Sequence, residues 1–134
     1  DWTPKNAESF LISRSLKQLP ADKDLIVSFA EIGAGHVGTI YQATNWLYTG
    51  LSDRHVEWVL DGEKPKQHTR HLFDEHGGVE GAKAHYGNRL QRAERGRKHR
   101  YVFLRGSRRR QRELREKLRY SIQDYPKIEL TSAV

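Results

Sequence analysis

The chain has 134 residues, which suits one domain with one sizeable core. It contains no cysteine, which excludes disulfide frameworks, thiolate metal ligands and a cysteine nucleophile. No apolar run approaches ~20 residues, so no segment is expected to span a membrane. The net charge of +7 is uneven, because residues 81–120 carry fifteen Lys and Arg against three Glu. A basic section on an otherwise acidic chain is typical of a protein that meets a polyanion with one face, although charge that only maintains solubility is an alternative.

The first predicted element is a helix within residues 1–20. Thr3 or Asn6 can cap its N-terminus, and apolar side chains at helical spacing give it one face for packing on a sheet. Free N–H groups and hydroxyls near the start of a helix can hold an anion such as a phosphate. We therefore treat Asn6, Ser9 and Ser13 as candidates for anion binding, with ordinary helix capping as the alternative.

The stretch from residue 25 to residue 50 is the one around which the other elements are arranged. It begins with β-forming residues that predict a buried strand, and a glycine-rich turn follows. The glycines permit backbone conformations that let the chain pass close to a bound group. The periodicity then predicts a helix over residues 37–49, with Gly50 at its left-handed C-terminal cap.

Three side chains around this turn are candidates for a reaction site. Tyr41 lies on the first turns of the predicted helix, where its hydroxyl can serve as a proton donor. Glu31 ends the strand and His36 lies in the turn, so a carboxylate, an imidazole and a phenol can converge there. The carboxylate can act as a base or orient a partner, and the trio can also hold a divalent metal. A structural role for Tyr41 as a core aromatic residue is an equal alternative.

The remaining strands are predicted at residues 55–61 and 99–105, from alternation and from aromatic and β-branched content. The polar segment between them contains a weak helical pattern over residues 80–95, whose apolar face is Ala82, Tyr86 and Leu90. Its histidines, in HTRHLFDEH, are only a weak indication of a metal site, since the surrounding loop is polar and rich in glycine.

Ser107 is predicted to cap a closing helix that runs to about residue 120, with Leu114 and Leu118 as its apolar stripe. Some of its arginines can pair with glutamates four residues away, and the excess can contact phosphates. The predicted nucleic-acid contacts are Arg97, Lys98, Arg100, Arg105, Arg108, Arg109, Arg110 and Arg112.

The sequence resembles the phage Mom-type DNA adenine-modification proteins, a branch related to the GNAT acyltransferases. The segments that carry the resemblance are NAESFLISRS, SFAE, GHVGTIYQATNWLYTG, KHRYVF and QDYPK, between about residues 4 and 127. The resemblance implies an α+β fold with a GNAT-like, mixed, mainly antiparallel sheet flanked by helices. The helices would be residues 5–19 and 37–49, and the strands residues 24–30, 55–61 and 99–105.

The same resemblance implies a single domain over residues 1–127 and a tail over residues 128–134. A GNAT domain has earlier strands, including one whose backbone amides grip the CoA pyrophosphate, and this chain starts after that point. We therefore expect the chain to be the C-terminal part of the fold, with the N-terminal strands supplied by a preceding segment or by another chain.

The implied function is a transferase that uses acetyl-CoA or a related acyl-CoA to alter the N6 group of adenine in phage DNA. The modification would protect the DNA from host restriction, in the host cytoplasm and away from membranes. Tyr41 matches the tyrosine of the IYQATN segment and His36 the histidine of the GH pair, while Ser9 falls in the N-x-E-S element of the cofactor-side helix. Glu31 stands where the family more usually has Asp. A divalent metal stays open and is not predicted.

Two other interpretations remain open. One is a non-catalytic DNA-binding or virion-associated protein that has kept the fold, and the other is a GNAT enzyme that acylates a small amine or a protein lysine. For the leading interpretation, base flipping is expected, because N6 of a stacked adenine cannot reach a buried donor. Trp46 or Tyr48 would then stack on the flipped base.

Overall fold

The computed structural model describes residues 4–65 and 68–127 of the chain. The contacts between residues divide the chain into two compact units, one formed by residues 1–52 with 97–134 and the other by residues 53–96. Both units combine helices with small antiparallel sheets, which confirms the predicted α+β class.

Two predictions, the Thr3 cap and the tail over residues 128–134, lie outside the described part of the chain. Within the described part, no helix is long and apolar enough to cross a membrane.

The described residues of these units form ten helices and strands. The helices are α1 (Ala7–Gln18), α2 (Thr39–Ala43), α3 (Thr69–Glu75), α4 (Val79–Tyr86) and α5 (Arg108–Glu116). The strands are β1 (Leu25–Glu31), β2 (Leu47–Leu51), β3 (Val56–Leu60), β4 (Leu90–Glu94) and β5 (Lys98–Leu104). Single 3-10 turns occupy Ile32–Ala34 and Gly87–Arg89.

The first unit is built on a three-stranded antiparallel sheet with the order β1-β5-β2. One face of the sheet carries Tyr101, Tyr48 and Ala30, which form a buried cluster together with Trp46 and with apolar side chains of α1 and α2. The other face is covered over β5 and β2 by α5, whose Leu114 packs with the apolar residues of those strands. The central strand β5 is therefore buried on both faces.

The strand β1 differs from its prediction as a buried strand. It lies at an edge of the sheet. Its side chains on the same face as Arg100 and Val102 of β5 are exposed: Leu25, Val27 and Phe29 keep 40%, 44% and 48% of their surface accessible. Because successive side chains of a strand alternate between faces, only Ile26, Ser28 and Ala30 reach the interior side.

The helix predicted over residues 37–49 is wrong beyond Ala43. The short helix α2 ends at Thr44, and Asn45 follows at a φ of +62°. The chain then enters β2, whose Tyr48 pairs with Tyr101 of β5. Gly50, at a φ of +85°, lies at the irregular end of β2 and caps no helix. Pairing with a strand some fifty residues away outweighs the local helical spacing of these residues.

The second unit pairs β3 with β4 and packs α3 and α4 on that pair. Its core contains Leu72, Ala82 and Leu90, with Trp58 and Tyr86 partly buried against them. The helix predicted over residues 80–95 is therefore wrong after Tyr86, where a 3-10 turn leads into β4, although its three predicted core residues do share one core. The predicted strands at residues 55–61 and 99–105 belong to different sheets: β3 pairs with β4, and β5 with β1 and β2.

The ends of the first and last helices show two kinds of capping. Ser107 caps α5 as predicted, since its Oγ accepts the Arg110 N–H at 3.2 Å. Asn6 precedes α1 in a left-handed conformation, with a φ of +72°, and its side chain makes no capping hydrogen bond. The amide of Asn6 is thus not used to begin the helix.

Candidate functional site

A solvent-open cavity of about 730 Å³ lies where β1, the glycine-rich turn and α2 meet, beside α1. Glu31, His36 and Tyr41 all line it. The three residues that the sequence analysis singled out thus line one cavity, formed by the end of a strand, a turn and the first turn of a helix. Their chemical roles remain predictions.

Tyr41 has both a core side and a cavity side. Its ring packs against the rings of Trp46 and Tyr101, with centroids 5.1 Å and 5.2 Å away. Its hydroxyl oxygen accepts a hydrogen bond from Ser28 Oγ at 2.7 Å. Either hydroxyl can donate in such a pair, and when Ser28 donates, the proton of the Tyr41 hydroxyl can go to another acceptor. The packed ring fixes the position of that hydroxyl.

Ser28 is a site residue that the sequence analysis missed. A signal was present, since Ser28 is the one hydroxyl on the inward face of β1, between Ile26 and Ala30. Directly opposite it in the register lies Tyr101 of β5. A polar residue at an inward position of a strand calls for a hydrogen-bond partner, and Tyr41 supplies it.

Glu31 is exposed at the mouth of the cavity, and its carboxylate faces Lys98 at 3.9 Å. The two residues are directly opposite each other in the antiparallel register of β1 and β5. The carbonyl of Glu31 also accepts the backbone N–H of His36 at 3.3 Å, which draws the turn back towards the end of the strand. This bond closes the turn on the end of β1.

The glycines of the turn have an internal explanation at one position. Gly38 has a φ of +81°, and a Cβ there would lie 2.3 Å from Cε2 of Tyr101. The Tyr101 hydroxyl also donates to the carbonyl of Val37. The close approach that requires glycine at position 38 is thus to Tyr101 itself. At Gly33 and Gly35 a Cβ would meet open space, and Gly35 lines the cavity.

A second cavity, of about 410 Å³, adjoins the first at the start of α1. Asn6 and Ser9 line it together with Lys5, whereas Ser13 does not and lies one turn further along the helix on an exposed position. Glu8 and Thr39 line both cavities. A ligand held at the start of α1 can therefore reach towards Tyr41.

The basic residues predicted to contact nucleic acid fall into different structural situations. Arg100 is only 7% exposed, donates from Nε to Thr49 Oγ1 at 3.0 Å and places its guanidinium 3.3 Å from the ring centroid of Tyr120. Arg105 donates to the carbonyls of Leu19, Pro20 and Lys23, which follow α1. These two guanidiniums hold the first unit together.

Other predicted contacts are held by acceptors on the surface. Arg97 donates to the Ser52 carbonyl at 2.7 Å. Arg110 forms an ion pair with Asp24 at 2.6 Å, and Arg109 pairs with Glu113 at 3.1 Å.

By contrast, Arg108 and Arg112 have no ion pair within the described residues, and both line a third cavity along α5.

Two predictions about aromatic residues are wrong. Trp46 and Tyr48 are 3% and 7% exposed, so neither can stack on a flipped base in this structure. Tyr48 instead lies 2.9 Å from Nδ1 of His99 through its hydroxyl.

Burial shifts the pKa values of these core groups. It raises the pKa of Tyr48, which nearby Arg100 and Arg97 partly offset, and it lowers the pKa of His99. Burial likewise raises the pKa of Tyr101. These pKa shifts therefore concern side chains of the core of the first unit.

Among the described residues, no group of three or more His, Asp or Glu side chains is arranged to hold a metal ion. The histidine-rich segment instead forms α3, where His68 caps the helix by accepting the Arg70 N–H at 3.2 Å.

These observations define an α+β protein with an open cavity at a strand–turn–helix junction and a basic helix on the same unit. The model of the Mom protein family matches residues 1–127. The chain therefore belongs to the Mom protein family, and this membership indicates a phage DNA-modification protein. A comparison with curated proteins finds no match.

Proposed function

We propose that this protein is a GNAT-related transferase that alters the N6 group of adenine in phage DNA with an acetyl-CoA-type donor, and so protects the DNA from host restriction. One observation carries the proposal: in a member of the Mom protein family, Glu31, His36 and Tyr41, which bear a carboxylate, an imidazole and a phenol, line a single open cavity. These are the group types that proton transfer during such a reaction requires.

The roles of the three residues follow from their environments. Glu31, at the exposed rim, accepts the proton that the N6 amine loses as it forms its new bond, with His36 beside it as a relay. Tyr41 donates its proton to the leaving group, because Ser28 already occupies its oxygen as a donor. The donor, when bound, supplies the electrophilic carbon and a thiolate leaving group that takes up this proton.

The second cavity fits the phosphate-bearing end of such a donor. Asn6, whose amide makes no capping bond, and Ser9 line it together with the ammonium of Lys5 and the first turn of α1. Since the two cavities share Glu8 and Thr39, a molecule anchored there can present its other end to Tyr41. Ser13 would contact only the outer part of such a ligand.

A flipped adenine needs a surface to stack on, and Phe29 replaces the buried aromatics in this role. Phe29 lines the cavity and is 48% exposed, so its ring is open to a ligand. Aromatic side chains commonly hold a base that has left the duplex. Phe29→Ala is then expected to weaken modification while leaving the sheet, of whose core Phe29 is no part, intact.

A restriction-protection assay tests the function. DNA from cells expressing the protein should resist an endonuclease that cuts at adenine-containing sites, and Glu31→Gln and Tyr41→Phe should restore cutting. Tyr86→Phe is the matched control, since it removes another half-buried tyrosine hydroxyl, in the second unit, that contacts His76. Full cutting with folded wild-type protein would refute the proposal, as would full protection by the Tyr41→Phe variant.

The alternative function, a non-catalytic DNA-binding protein, is favoured by Arg108 and Arg112 of α5, which form no ion pair with any residue that the structure describes. It predicts salt-sensitive DNA binding that survives Tyr41→Phe and Glu31→Gln. Calorimetry separates the two functions, because a transferase must bind CoA and a purely DNA-binding protein must not.

A further inference from the structure

A cleft of about 550 Å³ runs along α5 at the end of the three-stranded sheet. None of its described lining residues belongs to the cavities at Tyr41 or Asn6. It is therefore a separate surface, and its lining differs in kind from theirs.

One wall of the cleft is a row of three arginines, Arg108, Arg112 and Arg115. Their spacing of four and three residues puts them on one face of the helix, and the helical rise spreads their backbone positions over about 10 Å. Within the described residues none of the three has an ion pair, whereas Arg109 and Arg110 on the same helix do. The cleft thus concentrates the positive charge of α5 that no carboxylate neutralises.

The shape of this charge row favours an extended anion. A single phosphate is held by donors that converge on one point, but these arginines start from backbone positions about one helical turn apart along α5. Successive phosphates of a nucleic-acid strand present charge in this way. The guanidinium fork also suits phosphate oxygens, which it can bind with two parallel hydrogen bonds.

The floor of the cleft is apolar and fits the rest of a nucleotide backbone. Leu47, Phe103 and Leu104 form it, and Asn45 lies at one side. Deoxyribose carbons can rest on such a floor while the phosphates meet the arginines.

We propose that the cleft lined by Arg108, Arg112 and Arg115 binds the sugar–phosphate backbone of DNA. The assignment of the polyanion to DNA rests on the proposed function. Arg115, which the sequence analysis did not include, is predicted to be as important as the other two. The paired arginines of α5 then contribute little.

The test compares two triple variants of equal charge. The cleft variant removes the three charges of the cleft and carries Arg108→Gln, Arg112→Gln and Arg115→Gln. The control variant removes three exposed cations that lie outside the cleft and have no ion pair within the described residues. It carries Arg14→Gln, Lys17→Gln and Lys117→Gln. DNA affinity is measured for a duplex oligonucleotide over a range of salt concentrations, with thermal unfolding as a check on folding.

The cleft variant should lower the slope of log affinity against log salt by about three, one for each lost phosphate contact, and the control variant by less than one. Equal effects of the two variants would overturn the proposal, because the basic surface would then act only through its net charge. CoA affinity is measured on both variants in parallel. A cleft variant that loses CoA binding and keeps DNA binding would show that the cleft holds the phosphates of the donor, which also overturns the proposal.

The outcome is separable from that of the proposed function. If wild-type protein binds DNA through the cleft but leaves adenine unmodified, the cleft stands and the transferase activity fails. If adenine is modified and the cleft variant binds DNA as well as wild type does, the activity stands and the cleft fails.

Discussion

Arginine residues of this chain occupy two kinds of environment, one buried and one open to solvent. Arg100, a residue of β5, stacks on Tyr120 and is hydrogen-bonded to Thr49, whereas Arg112 lines an open cleft. The sequence analysis grouped both as DNA contacts, because the letter alone carries only charge. A signal was available at Arg100 in the alternation of the strand. Arg100 lies on the same face of β5 as Val102, and Tyr101 lies on the other face.

Arg100→Lys should therefore destabilise the protein without changing its contacts to DNA. Lysine cannot reproduce the bonds from the guanidinium to Thr49 Oγ1 and Thr49 O, nor its flat stacking on Tyr120. We expect the free energy of unfolding to fall by about 1–3 kcal/mol in urea denaturation. The salt slope of DNA binding should stay at the wild-type value, and a slope reduced by one would show that Arg100 contacts a phosphate.

His99 should make stability depend on pH in a defined direction. Burial lowers the pKa of His99 in the folded protein, so the unfolded chain takes up a proton first as the pH falls through about 6.5. The contribution of neutral His99 to the free energy of unfolding is fully present above that pH and is lost progressively below it. The loss of unfolding free energy between pH 7 and pH 5 should be smaller in His99→Asn than in wild type. An identical loss in both proteins would contradict this assignment.

At the scale of elements, local pattern was sufficient for some and insufficient for others. The strands β1, β3 and β5 and the helices α1 and α5 lie close to where periodicity and capping residues placed them. The strand β2 was missed because Leu47 and Tyr48 recur at helical spacing with Tyr41. Only pairing with β5, distant in sequence, decides their conformation. The strand β4 was missed because Leu90 is almost its only apolar residue.

The candidate site was found where it depends on local order in the chain. Glu31, His36 and Tyr41 are close in sequence, and the turn that joins them was recognised from its glycines. Ser28 and the adjoining cavity at α1 depend on how distant elements pack, which periodicity does not report. The close contact of Gly38 with Tyr101 also depends on the packing of distant elements.

The turn at Gly38 offers a test of this packing. Gly38→Ala adds a Cβ that meets the Tyr101 ring at 2.3 Å and forces alanine into a left-handed conformation, so we expect a loss of about 3 kcal/mol or more. Gly35→Ala is the control, because Gly35 has a similar φ of +72° but open space around it, and it should cost only about 1 kcal/mol. Thermal unfolding measures both, and equal losses would show that the contact with Tyr101 is unimportant.

At the scale of the whole molecule, charge and candidate chemistry are found on the same unit. Residues 53–96 contain eight Lys or Arg and eight Asp or Glu, so this unit is neutral and the other carries the entire net charge of +7. That other unit also contains the cavity at Tyr41 and the cleft along α5. One unit thus combines the net positive charge with the candidate site.

Mass spectrometry of nucleosides tests the central claim most directly. DNA from cells that express the protein is hydrolysed, and deoxyadenosine of altered mass is quantified for wild type and for Tyr41→Phe. We expect altered deoxyadenosine with wild type and a decrease of at least about a hundredfold in the variant, which should keep its DNA affinity and melting temperature. Deoxyadenosine of unaltered mass in cells with folded wild-type protein, or equal amounts of the altered nucleoside with both proteins, would contradict the claim.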